Sequence, residues 1–359
     1  MKQVDVLVVG LGPAGSSAAY MAARDGLSVL AIDKNQEVGV PVQCAEFIPL
    51  PMGKYAKRDG VLEQRVIGMK SFLPSGEHKQ SEFPGLMINR DQFDQSLAQN
   101  ARDAGATLWL GTRLVSLDKA TNTAIVLKDD VEQSIEYKVL VAADGPHSQV
   151  ASQCGLEALD IVQTRQYTVP LLKTPYDDTD IWVTDDFPGG YGWLFPKGDT
   201  ANVGLGLDKS RYDGGMKEPL DKLHKHLVDQ GIVGEEISYR TGGAIPVGGL
   251  RAELSLGNIV FVGDAAGFTH PITGAGISAA VITGERAGEA VIDYIEGDED
   301  AFDDYEEDMR DQFDPTLTRA VARRAHLHNY WKTEAAQLDS NMRQGWIAFD
   351  EYFDDGLFT

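Results

Sequence analysis

The sequence predicts an α/β fold (α+β in its middle part): a parallel-sheet unit split by an inserted, mainly antiparallel sheet and closed by C-terminal helices. Three observations carry this prediction. A Val-rich run, Val4 to Val9, leads into Gly10-Leu11-Gly12-Pro13-Ala14-Gly15 and a helix-compatible segment to residue 25. Between about 161 and 249 the pattern changes to short strands in a block. A core-type strand then returns at Ile259 to Val262, followed by Gly263-Asp264 and a long helical segment.

The first strand and turn have the order that a dinucleotide-phosphate site requires: strand, G-x-G-x-x-G, helix. Gly10 permits the tight turn, Gly12 admits a pyrophosphate near the backbone, and Gly15 lets the helix lie on the strand. Leu27 to Ile32 reads as the second strand and ends at Asp33, whose carboxylate is placed to accept the ribose hydroxyls of an adenosine. A 2′-phosphate would be repelled there.

At 359 residues the chain is long enough for two domains around a shared interface. No window reaches the ~18 uninterrupted apolar residues of a membrane span, and strand one occupies the place of a signal peptide. A soluble, cytoplasmic protein is expected. Cys44 and Cys154 are too few for a disulfide framework, and no Cys/His spacing suits zinc, so no metal is expected. A net charge of −23 opposes nucleic acid and, over the surface as a whole, an anionic bilayer.

After Asp33, residues 39–46 read as a loop beside the cofactor, and 61–85 as a hairpin inserted in the first domain. Asn89 is a plausible N-cap for a helix with Phe93, Leu97 and Ala101 on one face. Arg90 then falls in the first turn, where a cation opposes the helix dipole and invites a functional explanation. The strand at 113–117 would lie near the adenine, with Val115 as a backbone contact. A hairpin at 124–137 leads to a second buried strand, Lys138 to Ala143, ending in Asp144-Gly145 beside a ligand. Strands at 167–172, 180–184, 191–195 and 201–207, with a helix at 219–231, make the inserted sheet. Pro271 to Gly276 opens the long helix, whose N-terminus points at something electron-rich. Residues 298–314 hold ten acids and one base, which suits a solvated helix face or a connector. The remaining segment mixes Arg319, Arg323, Arg324 and Lys332 with aromatics such as Trp331 and Trp346. It is expected to dock as helices, with peripheral membrane contact or substrate capping as the second reading.

Taken together, the glycine turn with Asp33, Ala143-Asp144-Gly145 and Gly263-Asp264 resemble the FAD-binding signature of flavoproteins with the p-hydroxybenzoate hydroxylase fold. Pro41-Val42-Gln43-Cys44-Ala45-Glu46 resembles the P-x-x-C-x-E loop of the geranylgeranyl reductase family, and Tyr191 to Lys197 its Y-x-W-x-F-P-K motif. The resemblance covers residues 1 to about 297. It implies a discontinuous Rossmann-like FAD-binding domain (1–160 and 250–297), a substrate domain (161–249), and an acidic connector with C-terminal helices (298–359). By the same resemblance Gly10, Gly12, Ala14 and Gly15 surround the pyrophosphate, and Arg90 contacts FAD. Cys44 and Ala45 lie near the flavin, Asp264 near the ribityl-pyrophosphate region, and Gly276 and Ile277 at the pyrimidine edge of the ring.

The implied reaction is reduction of isoprenoid C=C bonds, with hydride from reduced flavin N5 and a proton from elsewhere. Tyr191, Trp193, Phe195 and Lys197 are the expected substrate contacts, although the alternation also fits ordinary strand packing. Cys44 is the candidate proton donor; a thiol packed on the ring for structure is the competing reading. No second glycine turn for NAD(P)H is present, so the reductant is either transiently bound NAD(P)H or a ferredoxin-type protein. Two rivals stand beside this reading: a flavin monooxygenase of the same fold, and an electron-transfer subunit docking through the acidic 298–314 segment. No motif sets the oligomeric state.

Overall fold

The computed structural model describes residues 2–210, 212–331 and 333–354; Lys332 lies outside the described residues. In chain order, β1 (Lys2–Val9), α1 (Pro13–Arg24) and β2 (Val29–Ile32) form the opening unit. Then come β3 (Phe47–Pro49), the hairpin β4 (Leu62–Phe72) and β5 (His78–Ile88), and α2 (Arg90–Asp103). β6 (Thr107–Trp109), β7 (Thr112–Asp118), β8 (Thr123–Lys128), β9 (Val131–Ala142) and α3 (Gln149–Cys154) follow. The middle of the chain supplies β10 (Ile161–Pro170), β11 (Asp178–Trp182), β12 (Gly192–Lys197), β13 (Thr200–Leu207), α4 (Lys217–Asp229), β14 (Tyr239–Thr241) and β15 (Ala244–Pro246). The chain returns through β16 (Ser255–Leu256) and β17 (Ile259–Phe261) to α5 (Ile277–Glu296), α6 (Ala301–His328) and α7 (Asp339–Arg343).

Two sheets result. In the first, β17, β9, β1, β2 and β6 run parallel in that spatial order, with β16 antiparallel at one edge and β7–β8 hanging on β9. Its central strands are apolar on both faces, as Val6, Leu7, Val8 and Leu30 are all buried, which suits a sheet covered by helices on both sides. Burying each such side chain contributes about 1.5–3 kcal/mol. The second sheet has nine strands in the order β14-β10-β13-β12-β11-β4-β5-β3, with β15 on β10. One of its faces packs on α4 through Leu220, Leu223 and Leu227. The other carries Met69, Ile181 and Trp193 against Trp331, Trp346 and Phe349 of the C-terminal segment.

Several expectations change. The 61–85 hairpin is not an appendage of the first sheet: β4 pairs in parallel with β11, so the hairpin extends the second sheet. The second arm of the 124–137 hairpin and the buried strand after it are one strand, because β9 pairs with β8 in its first half and with β1 in its second. Residues 298–314 form no connector; from Ala301 they belong to α6, whose Phe302, Tyr305 and Met309 are buried. Asn89 does precede α2, but its side chain donates to Gly60 O and Glu63 instead of capping. Among the described residues, no helix is long and apolar enough to cross a membrane.

Candidate active site

A cavity of about 520 Å³ opens where the first sheet meets the second. Its floor is made by the C-terminal ends of three parallel strands: Gly12 after β1, Ala143 after β9 and Val262 after β17. Ligands of open parallel sheets bind at this end because the strands stop there and helix N-termini begin. The N-terminus of α5, at Gly276 and Ile277, forms one wall. The face of the second sheet forms the opposite one, through Gln166, Ile181, Trp193 and Phe195.

The glycines of the first turn divide the work. A Cβ on Gly10 would sit 2.3 Å from Ala143 O, and one on Gly15 1.9 Å from Gly10 O, so both allow close backbone packing. A Cβ on Gly12 would meet nothing within 4 Å. Gly12, Pro13 and Ala14 therefore present an open helix N-terminus to the cavity, a cradle suited to a pyrophosphate. α5 lies close over α1 because a Cβ on Gly284 would strike Ala14 O at 2.2 Å. Asp264 lines the cavity; burial pushes its carboxyl above the usual range, against a hydrogen bond from Thr269. The open backbone at Gly12 to Ala14 fits a dinucleotide pyrophosphate.

Asp33 and Val115 lie beyond the enclosed cavity. Asp33 accepts the N–H of Leu11 in the glycine turn (2.8 Å) and of Asn35 (2.8 Å), so it braces the turn. Val115 sits at an irregularity in the β7–β8 pairing, and its carbonyl accepts from Gln153. Asp144 does not line the cavity, although its neighbours Ala143 and Gly145 do; its carboxylate accepts from Gln149 N and Val150 N at the start of α3.

Cys44, Ala45 and Arg90 meet on one side of the cavity. The Cys44 thiol accepts the N–H of Glu46 (3.2 Å) and lies within electrostatic reach of the Arg90 guanidinium. Arg90 also donates to Asp94 at 2.7 Å. Burial works against its charge, but Asp94 and Cys44 together hold the guanidinium protonated above its ordinary range. Glu46 is the node of this side. It is 4% exposed, and its backbone is left-handed at φ +71°. Oε1 accepts the N–H of Arg90 (2.9 Å), while Oε2 accepts from Lys197 (2.8 Å) and Asn202 (2.9 Å). A side chain so placed fixes the Cys44 loop, the start of α2 and the second sheet together.

Lys197 does not itself line the cavity; its ammonium is held by Glu46, which does. Tyr191, Trp193 and Phe195 do line the cavity. Tyr191 donates to Thr273 O, burial having pushed its phenol up, and its ring lies 5.0 Å from that of Trp346. Trp193 donates to Gln166, which in turn donates to the carbonyl of Cys44. Three lining residues lacked a sequence signal that singled them out. Gln166 bridges two motifs, Trp346 arrives from the C-terminal segment, and His270 stands in the loop before α5. The His270–Pro271 pair next to Gly274 and Gly276 was the usable clue. Burial lowers the His270 imidazole to about 4, and its Nδ1 accepts from Ile272 N and Thr273 N. Cys154 lies half-buried away from this cavity, its thiol raised by burial.

Residues 5–155 match the FAD dependent oxidoreductase family, and residues 160–244 match the geranylgeranyl reductase catalytic domain. A digeranylgeranylglycerophospholipid reductase from Methanocella arvoryzae is 36% identical over 314 residues, covering 82% of this chain and 78% of that protein. A geranylgeranyl bacteriochlorophyll reductase-like protein from Thermoplasma acidophilum superposes with a TM-score of 0.84 at 26% identity, covering 96% of each chain. The p-nitrophenol 4-monooxygenase PnpA of Pseudomonas putida superposes at 0.73 with 18% identity, covering 96% of this chain and 94% of that one, which shows a shared fold alone. The chain belongs to the geranylgeranyl reductase family of FAD-dependent oxidoreductases.

Proposed function

We propose that this enzyme saturates C=C bonds in the geranylgeranyl chains of a glycerophospholipid. The observation that carries the reading is the two-ended cavity. One end is a cradle of backbone donors, and the other is an apolar wall of Tyr191, Trp193, Phe195 and Trp346. An alkene chain needs such a wall, because a polyprenyl group makes no hydrogen bonds and is held by burial alone.

When bound and reduced, FAD supplies a hydride from N5. The protein's contribution is position and electrostatics. First-turn amides at Gly276 and Ile277 favour negative charge at the adjoining ring edge, and Arg90 adds a fixed positive charge on the Cys44 side. Tyr191, Trp193 and Trp346 exclude water around the alkene. The proton for the second alkene carbon comes from Cys44, which is then reprotonated from solvent. His270 is neutral at physiological pH and keeps the loop before α5 in shape through its Nδ1. Two electrons per turnover would come from an external donor, as one hydride from NAD(P)H or as two single-electron transfers from a ferredoxin-type protein.

Anaerobic incubation of the dithionite-reduced protein with digeranylgeranylglycerophospholipid, read by mass spectrometry, tests this function. Addition of two hydrogens per double bond is expected. An unchanged lipid, with oxygen consumption on an aromatic substrate instead, would favour the monooxygenase rival.

A further inference from the structure

A second hollow, of about 540 Å³, lies on the surface between the end of β3 and the start of β4. Leu50, Leu62 and Leu86 form its apolar part, with Lys57, Arg58 and Arg65 around it and Asp59 as its one acid. Leu50 and Leu62 are 42% and 41% exposed, and Ile67, two residues beyond Arg65 on the same strand, is 64% exposed. Here Leu50, Leu62 and the nearby Ile67 coincide with cations. Arg58 is already engaged by Asn100 and Asp103. Lys57 and Arg65 make no ion pair among the described residues.

The hollow is adjacent to the active cavity through the edge of the second sheet. Phe47, the first residue of edge strand β3, lines the cavity, and Leu50, the residue directly after its end, lines the hollow, about 10 Å of chain apart. On the partner strand Phe83 lines the cavity and Leu86 the hollow, and the Phe47 and Phe83 rings stack at 5.5 Å. A group seated in the hollow is thus one edge strand away from the apolar end of the cavity.

We infer that this hollow docks the protein on an anionic lipid bilayer, with headgroup phosphates between Lys57, Arg58 and Arg65 and the leucines against the glycerol and upper chain region. The charge of the whole chain repels such a surface, so a local reversal of sign joined to exposed aliphatic groups selects one face for approach. The inference rests on the reading of a membrane lipid as substrate, because docking by this face brings the cavity edge to the lipid.

Sedimentation of the FAD-loaded full chain with vesicles tests it, at the lowest salt at which circular dichroism shows the chain folded. Vesicles of phosphatidylcholine with roughly a third phosphatidylglycerol are compared with phosphatidylcholine alone. Binding to the anionic vesicles only is expected, with at least a fivefold loss of bound fraction in the K57E/R65E variant and an intermediate loss in K57Q/R65Q. Undiminished binding of the variants would overturn the inference, as would equal binding to neutral vesicles or displacement of the chain by millimolar inorganic phosphate. Reduction of a detergent-dispersed polyprenyl lipid by K57E/R65E is measured alongside. Turnover retained with vesicle binding lost supports docking, whereas turnover absent in wild type and variant alike strikes the reductase reading and leaves the sedimentation result to be judged separately.

Discussion

Glu46 Oε2 lies 2.8 Å from Lys197 Nζ, so the loop that carries Cys44 is tied to the strand that carries Trp193 and Phe195. The pair is buried, with Asn202 and the Arg90 amide completing the carboxylate's shell. Breaking a buried pair strands a charge. K197M should therefore destabilise the fold by about 3–5 kcal/mol, and E46Q by less, since a glutamine keeps an acceptor for the Arg90 amide. In denaturant titrations the double variant E46Q/K197M should lose less than the sum of the two. Additive losses would show that the two side chains do not act on each other.

The glycine turn predicts a split between fold and cofactor. Gly15→Ala places a Cβ on the Gly10 carbonyl and should cost roughly 3 kcal/mol of stability, the upper end for overpacking. Gly12→Ala has free space and should fold normally, yet bind FAD about ten- to a hundredfold more weakly. Thermal melts of apoprotein and fluorescence titration with FAD read the two effects separately.

His270 predicts a pH dependence. Its pKa is lowered from 6.5 to about 4 by burial, so between these values the unfolded chain binds a proton that the folded chain refuses. Stability should accordingly be free of this penalty above pH 6.5, decline as pH falls, and carry the full penalty, roughly 3 kcal/mol at most, below about 4. The difference in unfolding free energy between wild type and H270N, followed across that window, isolates the effect from the carboxylates. A pH-independent difference would contradict it.

Legibility in the sequence follows distance along the chain. The strand–glycine turn–helix order at the start of the chain and the start of α5 were readable because strand, turn and helix start are consecutive, and local backbone chemistry sets them. Glu46 and Lys197 were each visible inside a motif, but not as partners, because 150 residues of chain separate them and sheet pairing alone brings them together. The same holds for the hairpin of β4 and β5: its alternation is a hairpin signal whichever sheet it joins, and only the parallel pairing with β11 assigns it. Trp346 and Tyr352, which reaches His270 at 3.4 Å, come from a segment with no motif. Their role depends on where α6 ends, and composition does not encode that.

Cys44→Ala separates the proton donor from a packing residue. The thiol lies within electrostatic reach of Arg90 and accepts from the Glu46 amide, neither of which supplies a core to collapse, so the variant should fold and keep FAD. Turnover should fall by about 100-fold, the lower range for removing a general acid. Full turnover with unchanged FAD binding would assign the thiol to structure.

The central claim is that reduced flavin in this cavity passes its electrons to an isoprenoid alkene. Its most direct test is anaerobic stopped-flow mixing of the photoreduced protein with digeranylgeranylglycerophospholipid, followed by the return of oxidised-flavin absorbance. The account predicts reoxidation in the absence of oxygen, at a rate that saturates with lipid and is absent with the fully saturated lipid. Flavin that stays reduced with the lipid and reoxidises only when oxygen is admitted would contradict it.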